Sequence, residues 1–198
     1  MDRRRKPRRM RVDSDNLILR PFKERDMDRF VEGMEGQSDV VDEYDWFGNI
    51  DAVIKRERRA SRRSAFKMFV SSQDDVSIFD NPGLRLQIFS RDTKCWMGYV
   101  AIYDARWNVE SAAMDYYLLN QYWRRGVATE AVKATLGYCW DVLKLHRIEA
   151  TIEEGNVRSL RFAESIGMTF EGIRRHGANI NGQWKNLCVY SKLANEDP

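Results

Sequence analysis

YWRRGVATEAV, residues 122–132, joins two kinds of sequence. Before it, SAAMDYYLL (111–119) is rich in aromatic and apolar residues, the composition of a strand. After it, Val132, Leu136, Cys139 and Leu143 recur at three- and four-residue spacing between Thr129 and Leu145, which makes one apolar helical face. A strand that stops at a glycine and opens a helix gathers several unpaired backbone N–H groups at one point, where the helix dipole adds positive potential. Gly126 permits close backbone approach, Ala128 keeps the first turn small, and Arg124 and Arg125 add mobile positive charge. On these residues alone two readings stand: a basic surface turn, or a cradle for phosphates.

Working outward, HRIEATI (146–152) is a further strand. The strand–helix–strand unit over 112–152 therefore places its two strands parallel and adjacent. NVRSLRFAESIGM (156–168) reads as a helix with Asn156 as N-cap and Gly167 just past its end. The stretch 169–193 reads as two strands joined around Asn181-Gly182, a hairpin signal. Upstream, LRLQIFS (84–90), CWMGYVAIYD (95–104) and the strand at 111–119 form an antiparallel meander. NLILRPF (16–22) is a first strand stopped by Pro21, and helical segments follow at 23–34 and 49–66. Between those helices VDEYDWFG (41–48) is acidic and aromatic at once, and 74–83 ends in an Asn-Pro-Gly turn. The expectation is an α/β (α+β) fold: a mixed, mostly antiparallel sheet of about six to seven strands flanked by about four helices.

With 198 residues the chain fills one domain, assigned to 13–198. Residues 1–12 form a basic leader; the first eleven carry a net +6, which leaves about −3 for the remainder. That leader is either a solvated tail or an arm that contacts RNA or the ribosome through counterion release. No apolar run approaches the roughly 18 residues that span a bilayer, so no membrane role is expected. The basic N-terminus has no apolar segment after it and is not a secretory signal. Cys95, Cys139 and Cys188 are odd in number, far apart and flanked by apolar residues, which argues for reduced, mostly buried thiols and a cytoplasmic protein. No two cysteines or histidines have ligand spacing, so no metal is expected.

The chain resembles the GNAT N-acetyltransferase superfamily, and within it the Rim-type branch of ribosomal-protein N-terminal acetyltransferases. The family's pyrophosphate loop, Gln/Arg-x-x-Gly-x-Gly/Ala, is met at its last three positions by Gly126, Val127 and Ala128. Trp123 stands in place of the first residue, and Arg124 where the branch commonly has glycine. NVRSLRFAESIGMTFEG (156–172) is similar to the family's second block, Asn-x-x-Ser…Glu-x-x-Gly-Met/Phe…Glu-Gly.

The resemblance implies acetyl-CoA as donor and a primary amine as acceptor. The acceptor is first a protein N-terminal α-amine, with a small polyamine, aminoglycoside or amino acid as the alternative. A non-catalytic acyl-CoA-binding module is the reading outside enzymes, and a monomer or homodimer is expected. Leu118, Leu119 and Asn120 would pair with the pantetheine arm, and backbone amides of Arg125 to Thr129, with Arg124, would hold the pyrophosphate. Asn156 and Ser159 match the positions nearest the thioester sulfur. Ser159 is the candidate to hydrogen-bond or protonate the leaving thiolate; the plainer alternative is a helix cap followed by a first-turn residue. Glu110 and Asp115 are the carboxylates available as base. The glutamate that some Rim-type enzymes carry beyond the motif serine is replaced by Ala178, with His176 nearby. Glu43, Tyr44 and Trp46 sit where the family builds its acceptor pocket, unless Trp46 simply anchors a loop. Trp184 and Tyr190 are read as core or dimer contacts.

Overall fold

Among the described residues the strands assemble into one eight-stranded sheet. The computed structural model describes residues 10–21, 23–26, 28–29, 84–180 and 182–196. The strands are β1 (Val12–Asp13), β2 (Leu17–Arg20), β3 (Leu84–Ser90), β4 (Trp96–Arg106), β5 (Ser111–Leu118), β6 (Arg147–Glu153), β7 (Thr169–Ile180) and β8 (Gln183–Leu193). Their spatial order is β1-β2-β3-β4-β5-β6-β8-β7, antiparallel throughout except for the parallel pair β5–β6. The parallel pair follows from its connection, the crossover helix α1 (Val127–Asp141). A second helix, α2 (Val157–Ser165), lies between β6 and β7.

One strand more is present than the six to seven expected. The addition is β1, whose Val12 is buried and pairs with Leu19, while Met10 packs on the core. The fold thus begins inside the stretch assigned to the leader. A turn from the first strand holds this edge down: Glu130, in the first turn of α1, accepts Ser14 Oγ at 2.6 Å and Asn16 N–H at 2.7 Å. Of the expected helices, that at 49–66 lies outside the described residues, and that at 23–34 is described only at 23–26, with a 3-10 turn at Glu24–Asp26, and at residues 28–29, which are helical. No helix among the described residues is long and apolar enough to cross a membrane.

The helix expected from Thr129 begins two residues earlier, because the glycine turn itself supplies its N-terminus. Val132, Leu136 and Cys139 are buried as the spacing requires, whereas Leu143 follows the helix and is half-buried. Cys139 and Cys188 are buried, but Cys95 is exposed in the β3–β4 turn, since a short turn gives its apolar neighbours no wall to bring it under. Tyr190 belongs to the core; Trp184 is 61 % exposed on the β7–β8 hairpin.

Two details of the sheet place the site. β5 and β6 pair only at Ser111↔Arg147, Ala112↔Ile148 and Ala113↔Glu149. Beyond Ala113, β5 stays with β4 out to Gly98↔Leu118 and β6 stays with β8 out to Glu153↔Leu187, so the two strands splay apart. Gly98 is the second detail: with φ +152° it lies against β5, and an added Cβ would collide with the carbonyl oxygen of Tyr117.

Candidate active site

The turn between β5 and α1 is built to expose amides. Gly126 caps α1 in a left-handed conformation (φ 77°, ψ −8°), and the first helical bond runs from Glu130 N–H to Gly126 C=O at 2.9 Å. The N–H groups of Val127, Ala128 and Thr129 therefore have no intrahelical acceptor. A Cβ built on Gly126 would meet nothing within 4 Å, so the space in front of these amides is open. Arg124 also adopts φ 59°, the conformation a glycine takes at low cost, here carried by an arginine. Trp123 ties the turn to its surroundings. Its Nε1–H donates to Leu118 C=O at 2.8 Å, and the Arg158 guanidinium lies 3.8 Å over its ring.

The splay between β5 and β6 opens into a cavity of about 740 Å³. One end is the glycine turn, with Arg124, Gly126, Val127, Ala128 and Thr129. The walls are Met114 to Leu118 of β5, Ala150 to Glu153 of β6, and Asn156, Arg158, Ser159 and Phe162 at the start of α2. Because side chains alternate along β5, Met114, Tyr116 and Leu118 reach it from one face of the sheet, and Asp115 and Tyr117 from the other. The cavity is thus lined by residues from both faces of β5.

On the α2 side, Asn156 Oδ1 accepts the Ser159 N–H at 3.1 Å and caps the helix. The Ser159 hydroxyl lies 2.7 Å from the Tyr116 hydroxyl. Phe162, one turn on, meets the Tyr116 ring edge to face at 4.7 Å and holds it in place. Burial pushes the Tyr116 phenol up to about 12, although its bond to Ser159 pulls the other way.

Asp115 occupies the other face beside Tyr99, Tyr103 and Tyr117, opposite Ala101 and in line with Arg85. Its Oδ1 is closed off from solvent and has no hydrogen-bond partner among the described residues. Burial pushes this carboxyl up to about 6, against the pull of Arg85. Tyr103, half-buried beside that carboxylate, is raised to about 12 by its partial burial and then by the carboxylate's charge. The result is a carboxylate deprotonated near neutrality, poorly solvated, and suited to accept a proton or hold an ammonium group.

Of the sequence-derived candidates, Asp115, Leu118, Asn120, Arg124, Gly126, Val127, Ala128, Thr129, Asn156 and Ser159 all line this one cavity. Three do not. Glu110 sits in the β4–β5 turn at the far end of β5, about 26 Å of strand from Leu118 at roughly 3.3 Å per residue; its carbonyl accepts His146 N–H there. Leu119 is fully buried, its N–H bonded to Met97 C=O at 2.9 Å. Arg125 is exposed outside the lining. His176 stacks on Trp184 in the hairpin, 6.0 Å between rings, away from the cavity. Glu43, Tyr44 and Trp46 lie outside the described residues. Sequence reasoning missed Tyr116 and Phe162, and the tyrosines around Asp115. The period-two alternation of β5 was the available signal for Tyr116, since it puts that residue on the face of Leu118. No cluster of His, Cys, Asp or Glu able to hold a metal occurs among the described residues.

The sequence profile of the Acetyltransferase (GNAT) domain matches residues 16–169. "Probable N-acetyltransferase YjcK" of Bacillus subtilis (strain 168) is 34% identical over 111 residues, which cover 56% of this chain and 61% of that protein. Spermidine N(1)-acetyltransferase of Escherichia coli (strain K12) is 24% identical over 180 residues, 88% of this chain and 86% of that one. Among solved structures, RimL, a ribosomal L7/L12 alpha-N-protein acetyltransferase in complex with coenzyme A, superposes with a TM-score of 0.78 at 14% identity. That likeness covers 95% of this chain and 100% of the other, and it is one of fold.

Proposed function

The chain belongs to the GNAT acetyltransferase family of acetyl-CoA-dependent N-acetyltransferases, and from that premise we propose that it acetylates the α-amine of a protein or peptide N-terminus. The observation that carries the choice of acceptor is Asp115, a half-buried carboxylate in the cavity lining whose Oδ1 is shut off from solvent without a hydrogen-bond partner among the described residues, with its affinity for protons raised to about 6. An α-ammonium group at about 7.7–8.0 passes its proton to such a base at a cost of about 2–3 kcal/mol, whereas an alkylammonium group near 10.4 costs about twice that. The base is therefore matched to the α-amine.

The residues fit the donor. The open space in front of Gly126 and the first-turn amides of α1 suit a pyrophosphate, and the splayed edge of β5 suits an extended arm. Acetyl-CoA supplies the activated acyl group. In the proposed reaction Asp115 takes the first proton from the ammonium, and the neutral nitrogen bonds to the carbonyl carbon as the carbon–sulfur bond breaks. The proton then lost by nitrogen balances the one gained by sulfur, and Ser159 stabilises that sulfur by hydrogen bonding. The tyrosines around Asp115 exclude water that would compete as acceptor. Three thiols without disulfides suit a reducing cytoplasm as the setting. An RNA or ribosome contact through residues 1–11 rests on their charge alone.

A second reading, a small polyamine as acceptor, is favoured by Glu153, a further carboxylate in the cavity lining, and by the spermidine-acetylating relative. The test is turnover of acetyl-CoA with peptides bearing a free or a blocked α-amine, set beside spermidine. Higher kcat/KM on the free α-amine supports the proposal. Higher kcat/KM on spermidine overturns the choice of acceptor, and cofactor binding without acetylation of any amine overturns the reaction.

A further inference from the structure

We infer that Tyr116 is a positioning residue that sets the direction of the Ser159 hydroxyl proton, making Ser159 a hydrogen-bond donor toward the cavity. The inference rests on the reading above, in which Ser159 bonds the departing sulfur. A serine hydroxyl has one proton, and the neighbour that claims or leaves that proton decides what the oxygen can do in a site. The Tyr116 oxygen faces two atoms of the same residue: Ser159 Oγ at 2.7 Å and the Ser159 carbonyl oxygen at 3.3 Å.

Two proton arrangements are open. In one, Tyr116 donates to the carbonyl and Ser159 spends its proton on Tyr116, which leaves nothing for the cavity. In the other, Tyr116 donates to Oγ and the Ser159 proton is free to point inward. Both use the 2.7 Å contact and differ in where the Tyr116 proton goes: to the carbonyl at 3.3 Å, longer than the usual O–H···O range of about 2.5–3.0 Å, or to Oγ at 2.7 Å. The second gives the phenol, the more acidic and so the stronger donor of the two hydroxyls, the short contact.

Three features fix it. The phenol, raised to about 12 by its burial, keeps its proton at every working pH and so always has one to donate. The Tyr116 ring is held by its strand and by Phe162 at 4.7 Å. The Ser159 backbone is held by the Asn156 cap at 3.1 Å. Tyr116 is not the acid itself: a proton sent from a phenol near 12 to a thiolate of ordinary affinity, about 8.5, would run uphill.

The experiment is a double-mutant cycle of Tyr116→Phe and Ser159→Ala in the full chain, assayed on the best amine acceptor with the dissociation constant of CoA measured in parallel. Phenylalanine keeps the ring and its contact with Phe162, and an unchanged CoA affinity reports an intact cavity in each variant. The expected result is a kcat about tenfold lower for Tyr116→Phe, a kcat at least as low for Ser159→Ala, and a double variant no slower than Ser159→Ala. Full kcat in Tyr116→Phe overturns the inference. So do multiplying losses in the double variant, which would give Tyr116 a role independent of Ser159. Full kcat in Ser159→Ala overturns instead the reading on which the inference rests. A lowered CoA affinity with unchanged kcat in Tyr116→Phe would mark the tyrosine as a binding wall and also overturn it.

Discussion

Asp115→Asn separates the cost of the half-buried carboxylate from its use. In the folded protein this group is raised to about 6, against an ordinary value of 3.8. A carboxyl raised on folding gives stability that is full below its unfolded value and lost as pH rises through its folded value. The shift corresponds to about 3 kcal/mol lost by pH 8, of which about half is already lost at pH 5. Asparagine keeps the shape and carries no charge, so it escapes this loss. Its advantage over the parent protein should grow by about 1 kcal/mol between pH 5 and pH 8. For a chain of this size that is about 2–4 °C in melting temperature. Activity should move the other way. Loss of a general base lowers kcat by about 10²–10⁴, and the fall of kcat/KM below about pH 6 in the parent should vanish in the variant. Thermal melts at the two pH values and a pH–rate profile make the assay. A stability gap equal at pH 5 and pH 8 would refute the desolvated carboxylate, and a kcat near that of the parent would refute its role as base.

Three further outcomes are expected. Gly126→Ala forces a side chain into φ 77° at a cost of about 1–2 kcal/mol and puts a methyl group into the open space before the amides. CoA should bind at least about tenfold more weakly by calorimetry, and an unchanged affinity would refute the cradle. In Arg124→Gly, relief at φ 59° and the added freedom of the unfolded glycine nearly cancel, so the melting temperature should stay within about 2 °C of the parent. A large fall would show that the arginine side chain holds the loop. Alkylation of the native protein should label Cys95 alone, because Cys139 is buried with its thiol pushed up to about 12 and Cys188 is buried as well. Mass spectrometry before and after unfolding reads the count.

What was legible in the chain is what depends on neighbours in sequence. The seven residues of β3, the Asn156 cap, the hairpin around 181–182 and the parallel pairing of β5 with β6 all follow from periodicity and turn chemistry within a few residues or one connection. The glycine turn was legible for the same reason. Its neighbours were less so: Arg124 looked like free charge, yet its backbone takes a glycine's conformation, and Trp123 spends its Nε1–H on Leu118.

The arrangement of the cavity was decided elsewhere. Glu110 and Asp115 are equivalent as sequence, two carboxylates on or beside one strand, but eight residues of extended chain put the first at the wrong end of the sheet. Tyr116 and Ser159 are 43 residues apart, and nothing local to either points to the other. They meet because β5 and β6 stop pairing after Ala113 while each keeps its outer partner, which opens a slot with α2 along its side. The order of elements and the glycine turn are thus written in the chain, since dihedral preference and apolar period act over a few residues. Which side chains share the cavity, which carboxylate loses its water and which hydroxyls meet depend on the splay, because burial and hydrogen bonding between distant strands exist only once the sheet has assembled.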